Sequence, residues 1–163
     1  MSNLLYHGSD LVVEKPRVLQ PKYPLDFGDG FYLTRYKEQA ERWAILKSKR
    51  NKTYTPIVNI YELNYDKVID ILKPKYFSSP DSEWLHFIAN SRSGKQNDYN
   101  YIEGPIADDQ IYNFVEQFLI GELNEKEFMQ KAKYNKLTNQ IALSGDIIDC
   151  LIFVDSYEVD YHE

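Results

Sequence analysis

The sequence is poor in the residues that build metal centres and covalent cross-links. Its single cysteine, Cys150, cannot close an internal disulfide, and within the apolar run IIDCLIFV it reads as a small buried hydrophobe rather than a nucleophile. The three histidines, His7, His86 and His162, have no partners at metal-ligand spacing, so no metal is expected. Long apolar runs are missing too. No stretch approaches the roughly 18 residues of a membrane span, and MSNLLYHGSD lacks the basic segment and apolar core of a secretory leader. A cytoplasmic chain with no membrane partner is expected. Nor is there an excess of positive charge. With 19 basic and 25 acidic residues the net charge is -6, which excludes a global field that gathers nucleic acid or anionic lipid. Repeats, low-complexity segments and dividing linkers are likewise absent.

What is present suits one domain spanning residues 1–163. At 43% hydrophobic, this length supports one proper core and is short for two. Fourteen tyrosines raise the number of amphipathic aromatic surfaces available. The pattern predicts an α+β fold. Asn3–His7 reads as a first strand, ended by the turn cluster Gly8-Ser9-Asp10. A proline-interrupted loop follows, carrying Pro16, Pro21 and Pro24. Strands are expected at Phe31–Leu33, Pro56–Asn64, Val68–Leu72, Tyr101–Ile102, Thr138–Leu143 and Leu151–Val159, with the first and last central. Helices are expected after Thr34 as N-cap, after Ser79 as N-cap with Pro80 at the first helical position, through ADDQIYNFVEQFLIGE, and over Glu125–Lys133. A short helical connection follows Ser144-Gly145-Asp146.

The organising stretch is Phe27–Ala44, FGDGFYLTRYKEQAERWA, which joins a glycine turn, a short strand and an amphipathic helix without a spacer. Gly28 and Gly30 permit backbone angles and close approaches that a side chain blocks. Alternation places Tyr32 on the face opposite Phe31 and Leu33. Tyr36, Ala40, Trp43, Ala44 and Lys47 follow at helical spacing. Trp43 therefore returns beside the strand that carries Tyr32, and two such rings can sandwich a flat ligand. The glycines precede a strand and the third glycine is missing, so this is no ordinary dinucleotide fingerprint. The basic run Lys47–Lys52 reads as a solvated helix end that complements the helix dipole, with a phosphate contact as the other reading. His7-Gly8-Ser9 lacks the elbow of a serine hydrolase, and Asp108 and Asp109 suit a helix start.

Three separated segments resemble the ADP-ribosyltransferase fold of the diphtheria-toxin and poly(ADP-ribose) polymerase branch. They are Tyr6-His7-Gly8-Ser9, FGDGFYL with Trp43 eleven residues after Tyr32, and Gln140 opening a late strand. The chain also resembles a bacterial family of uncharacterised domains in the same clan, some encoded like toxin components. The resemblance implies two small mixed sheets that form an NAD cleft flanked by helices, with NAD as co-substrate. It implies that His7 bonds the adenosine ribose, that Gly8 offers its backbone to the nicotinamide carboxamide with Ser9 beside them, and that Tyr32 and Trp43 cover the two faces of the nicotinamide ring. His7, Tyr32 and Gln140 would form the catalytic trio. Ala40 stands where the polymerases place a carboxamide-binding serine, and Gln140 stands where the family has a glutamate. Gln140 can bond a ribose hydroxyl, yet it is neutral and no base. The expectations are therefore a mono-ADP-ribosyltransferase acting on a protein or nucleic-acid acceptor, or alternatively a non-catalytic NAD or ADP-ribose module. Asp108, Asp109 or Glu83 are candidates to bring a carboxylate into the site. The acceptor loop is expected over Lys131–Asn139, and a neutralising partner protein follows from the toxin analogy alone.

Overall fold

The computed structural model describes residues 3–18, 25–107, 109–132 and 138–161. Pro21, Pro24, Asp108, His162 and residues 133–137 lie outside the described residues, as does the side chain of Asp109. Among the described residues, two open sheets and five α-helices build an α+β fold. The first sheet has the order β1 (Leu4–Ser9), β3 (Ile57–Leu63), β7 (Leu151–Glu158), and every pairing in it is antiparallel. The second has the order β2 (Phe31–Leu33), β6 (Asn139–Leu143), β5 (Tyr101–Pro105), β4 (Pro74–Tyr76), with only β4 and β5 parallel.

Only the second sheet is therefore mixed. Nor are the first and last strands central: β3 lies between them, because IVNIYEL buries side chains on both faces, with Val58, Asn59 and Tyr61 all fully inaccessible. β1 also runs two residues past the predicted end, to Ser9, because pairing with β3 continues through Gly8↔Val58 and Ser9↔Ile57.

Local chemistry explains the other differences. Thr34 is not the N-cap of α1 (Lys37–Arg50). Its backbone exchanges N–H···O bonds of 2.8 and 2.9 Å with Tyr6, which hold it extended, so the helix begins after Tyr36. Asp81, not Ser79, caps α3 (Ser82–Arg92), its carboxylate accepting from the Trp84 N–H at 3.0 Å. Val68–Leu72 is not a strand. Asn64 caps a single turn, α2 (Tyr65–Val68), and Val68 is buried beneath it. The two remaining helices are α4 (Asp109–Leu119) and α5 (Glu125–Ala132), and Gly145–Cys150 forms a 3-10 helix.

Two apolar cores flank the second sheet. Phe31, Leu33, Tyr101, Ile141 and Leu143 on one face pack with Leu5 and Tyr61 of the first sheet. On the other face Ile102 and Ala142 pack under α3, α4 and α5 through Trp84, Ile88, Val115 and Phe128. Burying each such side chain contributes about 1.5–3 kcal/mol. A third cluster seats α1 on the first sheet through Ala40, Ala44 and Val58. The Tyr6–Thr34 bridge joins the two sheets at one corner, and the main cleft opens beside it.

Candidate functional site

A cleft of about 930 Å³ lies between β1, β2, the start of β6 and the outer face of α1. His7, Gly8, Ser9, Tyr32, Trp43 and Gln140 all line it. Chain segments far apart in sequence supply them, and each arrives by a separate local cause.

Gly8 sets the position of α1. A Cβ built on it would sit 2.2 Å from the Ala40 carbonyl oxygen and 2.7 Å from the Ala44 nitrogen, so the helix backbone rests directly on the strand. Trp43 and Lys47 are thereby brought to the rim. Tyr6 directs its backbone N–H and C=O to Thr34. By strand alternation Gly8, two residues on, directs its own pair to the same side. Ala40 is fully buried in this contact and does not line the cleft.

His7 Nδ1 lies 2.7 Å from the Tyr32 carbonyl oxygen. A carbonyl only accepts, so Nδ1 carries the proton and Nε2 is left as an acceptor. The ring stacks on Phe31 with centroids 4.2 Å apart. Burial lowers the His7 pKa from 6.5 to about 4; the Tyr32 carbonyl opposes the shift and Lys47 adds to it. The imidazole is thus neutral at pH 7.

Tyr32 is fixed at its far end. Its hydroxyl donates to the Gly28 carbonyl at 2.7 Å and accepts the Phe27 N–H at 3.0 Å. Gly28, at φ 83°, makes the turn that brings these groups round. Burial, with the charges of Asp26 and Asp29, pushes the phenol pKa up, so it remains a neutral donor. Among the described residues, neither Tyr32 nor Trp43 stacks on another ring.

Gln140 opens β6. Tyr32 pairs with Ala142, so Gln140, two residues away, projects from the same sheet face as Tyr32. The residue is 6% exposed, and its Nε2 is buried without a hydrogen-bond partner among the described residues. A buried amide left so costs about 1–3 kcal/mol, and a ligand acceptor in the cleft would offset that cost. The strand start is fixed by a polar clamp. Thr34 Oγ1 and Gln39 Nε2 both donate to the Asn139 carbonyl, at 3.3 and 3.0 Å, across one hundred residues of sequence in the second case.

The chain matches the family model described as Protein of unknown function (DUF3990) over residues 3–153. It belongs to that family. No curated protein and no solved structure matches it. Among the described residues of this DUF3990 chain, no cluster of three or more His, Cys, Asp or Glu is placed for a metal ion. No helix among them is long and apolar enough to cross a membrane.

The structure also brings in residues that sequence reasoning missed or misplaced. Lys47 and Arg50 line the cleft instead of forming a wholly solvated helix end. Their spacing from Trp43 along one helical face is the signal that marks them. Asn51 Nδ2 and Thr53 Oγ1 tie this end of α1 to Asp10 Oδ2, at 3.0 and 3.2 Å. Lys15 and Arg17 join them from the loop after β1. That loop is held by two buried β3 side chains. Asn59 accepts from the Val13 N–H at 2.9 Å and donates to the Leu11 carbonyl at 3.0 Å, while the Tyr61 hydroxyl donates to the Val13 carbonyl. No local pattern announces such a pairing. Glu83 is not in the cleft: it pairs with Lys75 on the surface, its position on the first turn of α3 taking it away. Among the described residues, the acidic ones that line the cleft are Glu14 and Asp26.

Proposed function

We propose that the protein is an NAD-dependent mono-ADP-ribosyltransferase, with the two sheets in an ADP-ribosyltransferase-like arrangement and NAD in the cleft at their shared corner. The observation that carries this reading is the convergence of His7, Gly8, Ser9, Tyr32, Trp43 and Gln140 on one opening large enough for a dinucleotide. The roles follow from the chemistry of each group. Neutral His7 offers Nε2 to a ribose hydroxyl. Gly8 offers an N–H and a C=O to a carboxamide. Tyr32 and Trp43 offer ring faces to the nicotinamide, and Gln140 offers its unpartnered N–H to a ribose oxygen. Lys15, Arg17, Lys47 and Arg50 supply positive charge for a diphosphate.

Cleavage breaks the bond between the ribose C1′ and the nicotinamide nitrogen. The electron pair leaves with nicotinamide, and C1′ becomes oxocarbenium-like until a nucleophile of the acceptor attacks it. Holding the leaving ring rigidly and favouring the cationic ribose lowers the barrier. The neutrality of Gln140 favours a second reading, a module that binds NAD or ADP-ribose without turnover. Calorimetry with NAD and ADP-ribose, together with chromatography of released nicotinamide, separates the two. Catalysis is expected as nicotinamide release that disappears in His7→Ala and Tyr32→Ala; binding without release supports the module. Absence of binding to either ligand refutes both.

A further inference from the structure

If the cleft takes NAD, the glutamate of the ADP-ribosyltransferase branch has no counterpart on β6, and the charge must come from elsewhere. Among the described residues two carboxylates line the cleft, Glu14 and Asp26. Glu14 lies on the loop after β1, beside the cations Lys15 and Arg17. Asp26 lies on the other side, directly before the Phe27–Gly28 turn to which the Tyr32 hydroxyl is bonded, and its charge is felt at that hydroxyl. It is also held firmly. Arg92 of α3 donates through both Nε, at 2.9 Å, and Nη2 to the same oxygen, Oδ1. Arg92 is in turn fixed by Glu116 at 3.0 Å and by the Tyr112 ring, 3.9 Å beneath its guanidinium. The second carboxylate oxygen, Oδ2, has no partner among the described residues, and the Asp26 side chain keeps 12% of its surface accessible.

We infer that Asp26 is the anionic catalytic residue of this cleft: its Oδ2 faces the ribose cation that forms as nicotinamide departs, a task the neutral Gln140 leaves open. This inference rests on the NAD reading above. In the step, the C1′–N bond breaks with its electron pair going to nicotinamide. The acceptor's lone pair then closes the new bond to C1′, and the acceptor's proton passes to solvent. With water as acceptor the products are ADP-ribose, nicotinamide and a proton. Asp26 supplies negative charge at fixed distance and is unchanged at the end, as preorganised electrostatic stabilisation requires. Arg92 is a positioning residue that directs Oδ2 by occupying Oδ1.

The test uses NAD itself with the full chain, reading affinity by calorimetry and nicotinamide release by chromatography. Asp26→Asn keeps an oxygen for Arg92, so the expected result is NAD affinity near wild type with release slowed about a hundredfold, together with a lowered melting temperature because the nearly buried guanidinium loses its counter-charge. Adding Gln140→Glu to Asp26→Asn puts a carboxylate back by another route, and at least tenfold recovery is expected. Gln140→Glu alone is the control: a purely structural role for Asp26 gives the same fold gain in the wild-type and Asp26→Asn backgrounds, whereas a larger gain in Asp26→Asn marks replacement of a lost charge. Should Asp26→Asn fail to fold, Asp26→Glu is read instead: it retains the charge, and release at least tenfold faster than in Asp26→Ala is expected. Release at the wild-type rate in Asp26→Asn overturns the assignment while leaving the NAD reading intact, and so does NAD binding by the wild type without any release. Failure of the wild type to bind NAD overturns the underlying reading instead.

Discussion

Replacing Gly8 with alanine tests the packing on which the cleft depends. Its added methyl would lie 2.2 Å from the Ala40 carbonyl oxygen, 2.7 Å from the Ala44 nitrogen and 2.9 Å from Trp43 Cβ. Two of these three are backbone atoms in the middle of α1, so no rotamer change can relieve the contact. The helix must retreat by about 1 Å to restore ordinary van der Waals distances. Overpacking of this kind costs about 1–3 kcal/mol and sometimes more, and the contact here belongs at the upper end. For a chain of this length, 3 kcal/mol lowers the melting temperature by about 6–12 °C. Because α1 carries Trp43, Lys47 and Arg50, the retreat should also widen the cleft and weaken any ligand held there. Urea denaturation followed by tryptophan fluorescence reads the loss. Gly121→Ala serves as comparison, since that site has open space around it and only a positive φ of 83°, which costs about 1 kcal/mol. A Gly8→Ala chain within 0.5 kcal/mol of wild type, roughly the scatter of surface substitutions, would refute the claim that α1 rests directly on β1.

Two further outcomes follow from the wall of the cleft. His7 has its pKa lowered from 6.5 to about 4, so between these values the unfolded chain binds more protons than the folded one and stability rises with pH. His7 therefore lends full stability above about pH 6.5 and loses it as pH falls towards 4, by about 3 kcal/mol in all. The difference between wild type and His7→Gln in urea melts at about pH 7, 5.5 and 4.5, which span most of the titration, isolates this contribution from the carboxylates. Asn59→Ala removes both bonds that fasten the Leu11–Val13 segment, at a cost of about 1–3 kcal/mol for the groups left unpaired. Hydrogen exchange at the Val13 amide should speed up while amides of β6 keep their protection in proportion to global stability; unchanged exchange at Val13 would contradict the clamp.

Most elements were legible in the sequence because their causes are local. Phe31–Leu33, the stripe through Ala40, Trp43 and Ala44, and the apolar face of Trp84, Leu85 and Ile88 carry their own periodicity, and they fold where it places them. Boundaries failed where a distant partner intervened: Thr34 was drawn out of the helix by Tyr6, and β4, short and polar, became a strand only through its parallel partner β5. The candidate site divides in the same way. His7-Gly8-Ser9, Tyr32, Trp43 and Gln140 could be singled out only jointly, through the resemblance that three separated segments carry in order; Gln140 alone has no local signal.

By itself, the sequence determined the α+β class, the helix faces and the glycine turn before Tyr32. These depend on backbone sterics and on residue spacing within a dozen positions. Only the tertiary structure decided that β3 is central, that Gly8 lets α1 touch β1, that Asn59 and Tyr61 hold the loop, and that Asp26 rather than Glu83 stands in the cleft. The physical reason is that a hydrogen bond or a van der Waals contact depends on distance in space. Packing of α1 beside the start of β6 brings residues one hundred positions apart within 3.0 Å, as the Gln39 side chain meets the carbonyl of Asn139, and nothing in either segment alone encodes that meeting.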